Sequence, residues 1–118
     1  MNKRELGTVY EQKAANFLIS NGYTIIDRNF CCKLGELDLI ARSEDYLCFI
    51  EVKFRSNNYR GFPGEAINYK KISKISKTAE YYMLINNIPM DTPCRFDVVV
   101  ILNKEITLIK NAFDAYSR

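Results

Sequence analysis

The sequence predicts an α/β domain: a mixed central sheet of about five strands flanked by helices, in the order helix, three strands, helix, two strands. Three observations carry that expectation. A capped amphipathic segment opens the chain. Runs rich in Ile, Val, Thr and aromatic residues lie on both sides of a second, longer amphipathic segment. No repeat, linker or low-complexity stretch divides them. At 118 residues the chain reads as a single domain, 1–118, long enough for a genuine core and too short for two.

The first helix has a start and a stop. Asn2, three residues before Glu5, fits a capping box, and Gly22 after Asn21 fits a C-terminal stop. Between them Leu6, Val9, Tyr10, Ala14, Phe17 and Leu18 form an apolar stripe. Glu11 borders that stripe one turn after Gly7, whose missing side chain leaves room for another group or a ligand. Equally, Glu11 reads as a solvated helix charge. Residues 23–30 form the first strand.

Residues 35–55 hold the most unusual pattern. Gly-Glu-Leu-Asp-Leu-Ile-Ala and Phe-Ile-Glu-Val-Lys-Phe-Arg read as two apolar strands, joined through the polar break Arg42-Ser43-Glu44-Asp45-Tyr46 as a hairpin. Inside them stand Asp38, Glu51 and Lys53, and a charge in a half-buried strand is costly unless paired or metal-bound. Side chains alternate along a strand, with same-face neighbours roughly 6.5–7 Å apart. Leu37, Leu39 and Ala41 are expected on one face, with Glu36, Asp38 and Ile40 on the other. Cys48, Ile50, Val52 and Phe54 are expected opposite Phe49, Glu51, Lys53 and Arg55. Closing the hairpin brings Asp38 beside Glu51, with Lys53 one pleat along. Such a patch suits a hard divalent cation on one or two carboxylates, which stabilises phosphodiester charge and yields a nucleophile from water. It also suits an ordinary cross-strand ion pair on a wet face.

Residues 56–64 form a Gly/Pro-containing polar loop. A long helix is expected from near residue 65 to about 85, with Ile72, Ile75, Ala79 and Tyr82 buried. Lys70, Lys71, Lys74 and Lys77 recur on it at helical spacing, as a phosphate-contacting stripe or as a plain solvated face. Asp91-Thr92-Pro93 is a loop, residues 95–102 a β-branched strand, Asn103-Lys104 a turn and residues 105–110 the last strand. The tail from Asn111 offers no recognisable chemistry.

Composition narrows the function. The chain has no histidine, which removes imidazole bases, Ser-His and Cys-His pairs and His-ligated zinc. Its four cysteines, Cys31, Cys32, Cys48 and Cys94, lack Cys-x-x-Cys spacing and are expected to be reduced, small buried hydrophobes. The net charge of +3 is compatible with nucleic acid without requiring it. Without a signal-peptide pattern or a membrane-length apolar run, a cytoplasmic protein is the default expectation.

Asp38, a dozen intervening residues and Glu51-Val52-Lys53 resemble the PD-(D/E)xK signature of restriction-endonuclease-like nucleases, with Leu37 in place of the usual proline. The whole chain resembles the bacterial YraN family. The matching segments are Gly7-x-x-x-Glu11, Arg28-Asn29, the run from Gly35 to Ala41, Phe49-Ile50-Glu51-Val52-Lys53-x-Arg55, Pro63-x-Glu65-Ala66-Ile67 and Arg95-Phe96-Asp97-Val98-Val99. That family is in turn similar to archaeal Holliday-junction resolvases, which act as dimers.

The resemblance implies a restriction-endonuclease-like fold and a Mg²⁺- or Mn²⁺-dependent endonuclease acting on DNA, branched DNA included, as a homodimer. Asp38 and Glu51 become metal ligands with the Val52 carbonyl, Glu11 a further acid at the metal, and Lys53 the group that orients water or stabilises charge. Glu36 ranks behind them. Arg55, Arg60 and the Lys70, Lys71, Lys74 and Lys77 face become phosphate contacts, and Tyr59 and Phe62 stack on a base or simply pack. Asp97 is expected in a structural ion pair with Arg95 or Arg55. Two other classes stay open: a nucleic-acid-binding module of the same fold with weak or no catalysis, and a protein-interaction domain.

Overall fold

A computed structural model describes residues 2–55 and 68–115. It consists of α1 (Lys3–Ser20), β1 (Thr24–Cys32), β2 (Gly35–Ser43), β3 (Tyr46–Arg55), α2 (Tyr69–Ile85), β4 (Cys94–Leu102) and β5 (Glu105–Phe113). The element order is the expected one. The five strands form one sheet in sequence order, antiparallel throughout except for the parallel pair β3 and β4. That parallel step needs a crossover, and α2 lies within it.

Local chemistry places the helix ends. Asn2 and Glu5 exchange the two hydrogen bonds of a capping box, and Gly22 follows the helix at φ +89°. The expected start of the second helix near residue 65 falls outside the described residues, as do Tyr59, Arg60 and Phe62. The described α2 is capped by Asn68, whose side chain accepts the Lys71 N–H.

Each helix covers one face of the sheet. Ala14, Ala15 and Leu18 of α1 pack on Leu39, Ala41, Cys48, Ile50, Val99 and Ile101. Ile75, Ala79, Tyr82 and Met83 of α2 pack on Ile40, Leu47, Phe49 and Phe96. Two details depart from the expected α1 stripe: Val9 is exposed and Ala15 fully buried. Of the cysteines only Cys48 is buried; Cys31 is exposed and the other two lie between, and all four are free. The tail also does more than expected, because β5 continues to Phe113, which stacks on Phe96.

β3 alternates as expected, but β2 does not. Leu39 and Ala41 join the α1 core whereas Leu37 joins the α2 core. The flip coincides with Asn29, which lies across from Asp38 between the pairs Arg28↔Leu39 and Phe30↔Leu37. Asn29 has φ +53°, a left-handed conformation that Asn tolerates better than other non-glycine residues. One such residue reverses the side-chain sequence, so Phe30 meets Tyr82 on the α2 face.

Candidate active site

The site forms where β2 and β3 separate. Their ladder ends at Leu39↔Ile50, and the next position opposes Asp38 to Glu51. There a side chain replaces the backbone acceptor: Asp38 Oδ2 accepts the Val52 N–H at 2.8 Å. Lys53, two residues beyond Glu51, is only 4% exposed. Across the gap α2 contributes Lys71, whose Nζ lies 2.9 Å from Glu51 Oε1. Asp38 and Glu51, with Glu36, Lys71 and Lys74, line a cleft of about 210 Å³. Gly35, at its edge, lets α2 come close: a Cβ there would stand 3.0 Å from Thr78 Oγ1.

The electrostatics of the cleft are unbalanced. Burial, then the neighbouring Glu51 carboxylate, push the Asp38 pKa up to about 7; Glu11 and Glu36 add to the rise, and the Val52 N–H opposes it. Burial, then the adjacent Lys71 amine, push Lys53 down to about 8. Lys71 goes the other way. Burial disfavours its ammonium, but Glu51, Lys53 and Asp38 together hold its pKa above the ordinary lysine value. A half-buried acid at the cleft and a buried base beside Lys71 thus both ionise near neutrality, a pattern that clusters at functional sites.

Glu11 approaches from the α1 side. Its pKa is raised, chiefly by burial and also by Glu36, while a hydrogen bond with Asn29 and the charge of Arg28 work against the rise. Arg28 also donates to Gln12 Oε1 at 2.7 Å, tying β1 to α1 beside Glu11. A Cβ at Gly7 would meet nothing within 4 Å, so the space one turn before Glu11 is open. Glu11 acts on Asp38 through its charge, yet among the described residues no three His, Cys, Asp or Glu side chains come close enough to share one ion. The expected convergence of Glu11, Asp38 and Glu51 on one ion position is therefore absent; the close carboxylate pair is Asp38 and Glu51.

The expected phosphate contacts divide. Lys70, Lys74 and Lys77 are exposed on α2, Lys74 at the cleft and Lys77 beside a separate groove with Leu34 and Tyr81. Lys71 is not part of a free stripe, because it is engaged by Glu51. Arg55 is half-buried at the end of β3, with its Nη1 donating to the Phe54 carbonyl. Arg60 lies outside the described residues. Asp97 is structural, as expected: it is fully buried and paired with Arg95 at 2.9 Å. A larger groove of about 580 Å³ runs between Phe30, Leu34, Tyr81 and Ile85, but it lacks convergent charged groups, so the smaller cleft is the better candidate.

Sequence reasoning missed one residue of this site, Asn29, and gave another, Lys71, only a phosphate-contacting role without its pairing to Glu51. Asn29 sits in a recognised motif without a role, and its hold on Glu11 requires knowing that β1 kinks there. Lys71 is one of four lysines at helical spacing, and nothing in the pattern distinguishes the one that turns toward the sheet.

The sequence model described as "Uncharacterised protein family UPF0102" matches residues 10–101, which includes Glu11, Asp38, Glu51, Lys53 and Lys71. The chain belongs to this family. UPF0102 proteins similar to it include one from Lachnoclostridium phytofermentans, 56% identical over 116 residues and covering 98% of both chains. Another, from Clostridioides difficile, is 46% identical across 96% of this chain and 100% of its own length. A third, from Clostridium botulinum (strain 657 / Type Ba4), is 43% identical across 93% of this chain and 94% of its own. The UPF0102 match thus runs from within α1 to within β4 and takes in Glu36, Asp38, Glu51, Lys71 and Lys74 of the cleft.

Proposed function

We propose that this UPF0102 protein is a metal-dependent endonuclease that hydrolyses DNA phosphodiester bonds, with branched or otherwise structured DNA as its substrate class. The observation that carries the reading is the Asp38–Glu51 pair beside buried Lys53. A carboxylate whose ionisation is made costly by burial and by a second carboxylate beside it, in a cleft open to solvent, is relieved by a cation. Their hard oxygen donors fit Mg²⁺ or Mn²⁺, which Asp38 and Glu51 would hold with the Val52 carbonyl. The bound ion would supply charge stabilisation at the phosphate and a water acidic enough to attack it.

The chain's own groups have distinct tasks. Asp38, anchored by the Val52 N–H, is held in orientation before anything binds. Lys53, with its pKa near 8, can take the proton of the attacking water as the water oxygen adds to phosphorus and a bridging P–O bond breaks. In its charged form it can instead stabilise the phosphoryl oxygens. Lys74 at the cleft edge and exposed Lys70 are positioned to neutralise flanking phosphates. A two-fold dimer would present two such clefts to a symmetric junction.

One observation favours a second reading, a nucleic-acid-binding module with weak or no catalysis: the Lys71 ammonium already neutralises Glu51. The test is cleavage of labelled single-stranded, duplex, flap and four-way-junction DNA with Mg²⁺, Mn²⁺ or EDTA. Wild type, Asp38→Ala and Lys53→Ala are compared. Metal-dependent cleavage lost in both variants supports the nuclease. Binding without cleavage supports the module, and neither binding nor cleavage points to a protein-interaction domain.

A further inference from the structure

We infer that Lys71 is an internal counter-cation that competes with a divalent ion for Glu51, so that loading the cleft releases the Lys71 ammonium toward the DNA. The inference rests on the reading of the cleft as a cation site and deepens it. Lys71 Nζ stands 2.9 Å from Glu51 Oε1, at a carboxylate oxygen that an incoming ion would use. One oxygen cannot serve an ammonium and a dehydrated divalent ion at full strength, because the two cations also repel each other at this range. The bridge must loosen as the ion enters.

Lys71 has somewhere to go. Its side chain remains 39% exposed, on the helix that also brings Lys74 to the cleft edge. Freed from Glu51, it joins Lys74 on the cleft wall. The number of ammonium groups offered to a polyanion then rises by one when the ion is held. By linkage, a ligand that engages the freed ammonium must tighten cation binding by the same factor as the cation tightens that ligand. Lys71 is thus a positioning residue that couples ion to nucleic acid.

The test is Mn²⁺ binding by calorimetry to wild type, Lys71→Met, Lys71→Arg, Lys74→Met and Asp38→Asn, with thermal melts confirming that each is folded. Removing the competing ammonium should tighten Mn²⁺ by about three- to five-fold, the range expected for a partly exposed ion pair. Lys71→Arg should stay near wild type, since it restores a competing cation. Lys74→Met, which removes equal charge from the same cleft, should change affinity less than Lys71→Met does. Asp38-dependent binding that is unchanged or weaker in Lys71→Met, or equally tightened in Lys74→Met, overturns the inference while leaving the cation site standing. No Asp38-dependent binding in any protein overturns the site itself, and the inference with it.

Discussion

Asp38 and Val52 are joined across the point where β2 and β3 separate, the carboxylate Oδ2 accepting the Val52 N–H at 2.8 Å. One side chain therefore does two jobs: it completes the hydrogen bonding of the parted strands and offers its other oxygen to the cleft. The jobs come apart on substitution. Asp38→Asn keeps an acceptor for Val52, whereas Asp38→Ala leaves that N–H without its side-chain partner. Both variants are expected to lose DNA cleavage by the order of 10²–10³-fold. At pH 8 only Asp38→Asn should be more stable than wild type, because it removes an unfavourable charge without breaking the bond. Chemical denaturation of the three proteins measures this, and Asp38→Ala as stable as Asp38→Asn would assign no structural role to the Val52 contact.

The raised pKa of Asp38 makes cation binding depend on pH. Its folded value, about 7, lies above the ordinary 3.8 because of burial and Glu51. Below about pH 7 a proton must leave before a cation can bind, so affinity should fall by up to about tenfold per pH unit. Above pH 7 this dependence should flatten. Stability has the opposite sense. The folded state holds the Asp38 proton more tightly than the unfolded chain, so stability (the free energy of unfolding) declines as pH rises from about 4 to 7. Calorimetric titrations at pH 5.5, 6.5 and 7.5 test the first statement, and Asp38→Asn should remove the slope of the second.

Lys53 is the complementary case. Its folded pKa, about 8, lies below the ordinary 10.5, chiefly through burial. The charged form is therefore disfavoured in the fold. The penalty is complete below about pH 8 and vanishes as pH climbs through 10.5. Lys53→Met should thus stabilise the protein at pH 7, on the order of 1–3 kcal/mol, with the gain shrinking above pH 8. Cleavage should fall in the same variant by the order of 10²–10³-fold. A destabilised Lys53→Met at neutral pH would mean that its ammonium is well paired rather than held for chemistry.

How far the sequence foretold this site follows from which forces are local. Capping by Asn2 and Glu5, the alternation of β3 and the pairing of the Asp38 strand with the Glu51 strand depend on near neighbours, and all are legible. The reversal of β2 is not, because it goes with a left-handed residue, Asn29, on the adjacent strand. Nor is the selection of Lys71 over Lys70 and Lys74, which depends on how closely α2 passes β2 at Gly35. Cys31 was expected inside on composition, yet it lies on β1 at the edge of the sheet, exposed and 3.4 Å from Glu36. Each departure is a tertiary event.

The buried network around Asp97 supplies a prediction that separates stability from chemistry. Asp97 is fully buried, and Arg95 Nε donates to its Oδ1 at 2.9 Å. The Tyr23 hydroxyl donates to Oδ2 at 2.7 Å, and the Asn111 N–H to Oδ1 at 2.8 Å. Arg95 Nη2 also donates to the Tyr23 oxygen, so one carboxylate ties together the start of β1, β4 and the end of β5. Burial and the Asp97 charge raise the Tyr23 pKa, so its hydroxyl stays protonated and remains a donor. Removing one donor should cost about 1–3 kcal/mol, the expected effect of Tyr23→Phe. Asp97→Ala strands the Arg95 charge and several donors, and should cost about 3–5 kcal/mol. Neither residue lines the Asp38–Glu51 cleft. Wherever these variants remain folded, cleavage per folded molecule should therefore stay near wild type. Denaturation curves paired with cleavage rates decide this, and a rate lost in a fully folded Tyr23→Phe would connect the network to the chemistry.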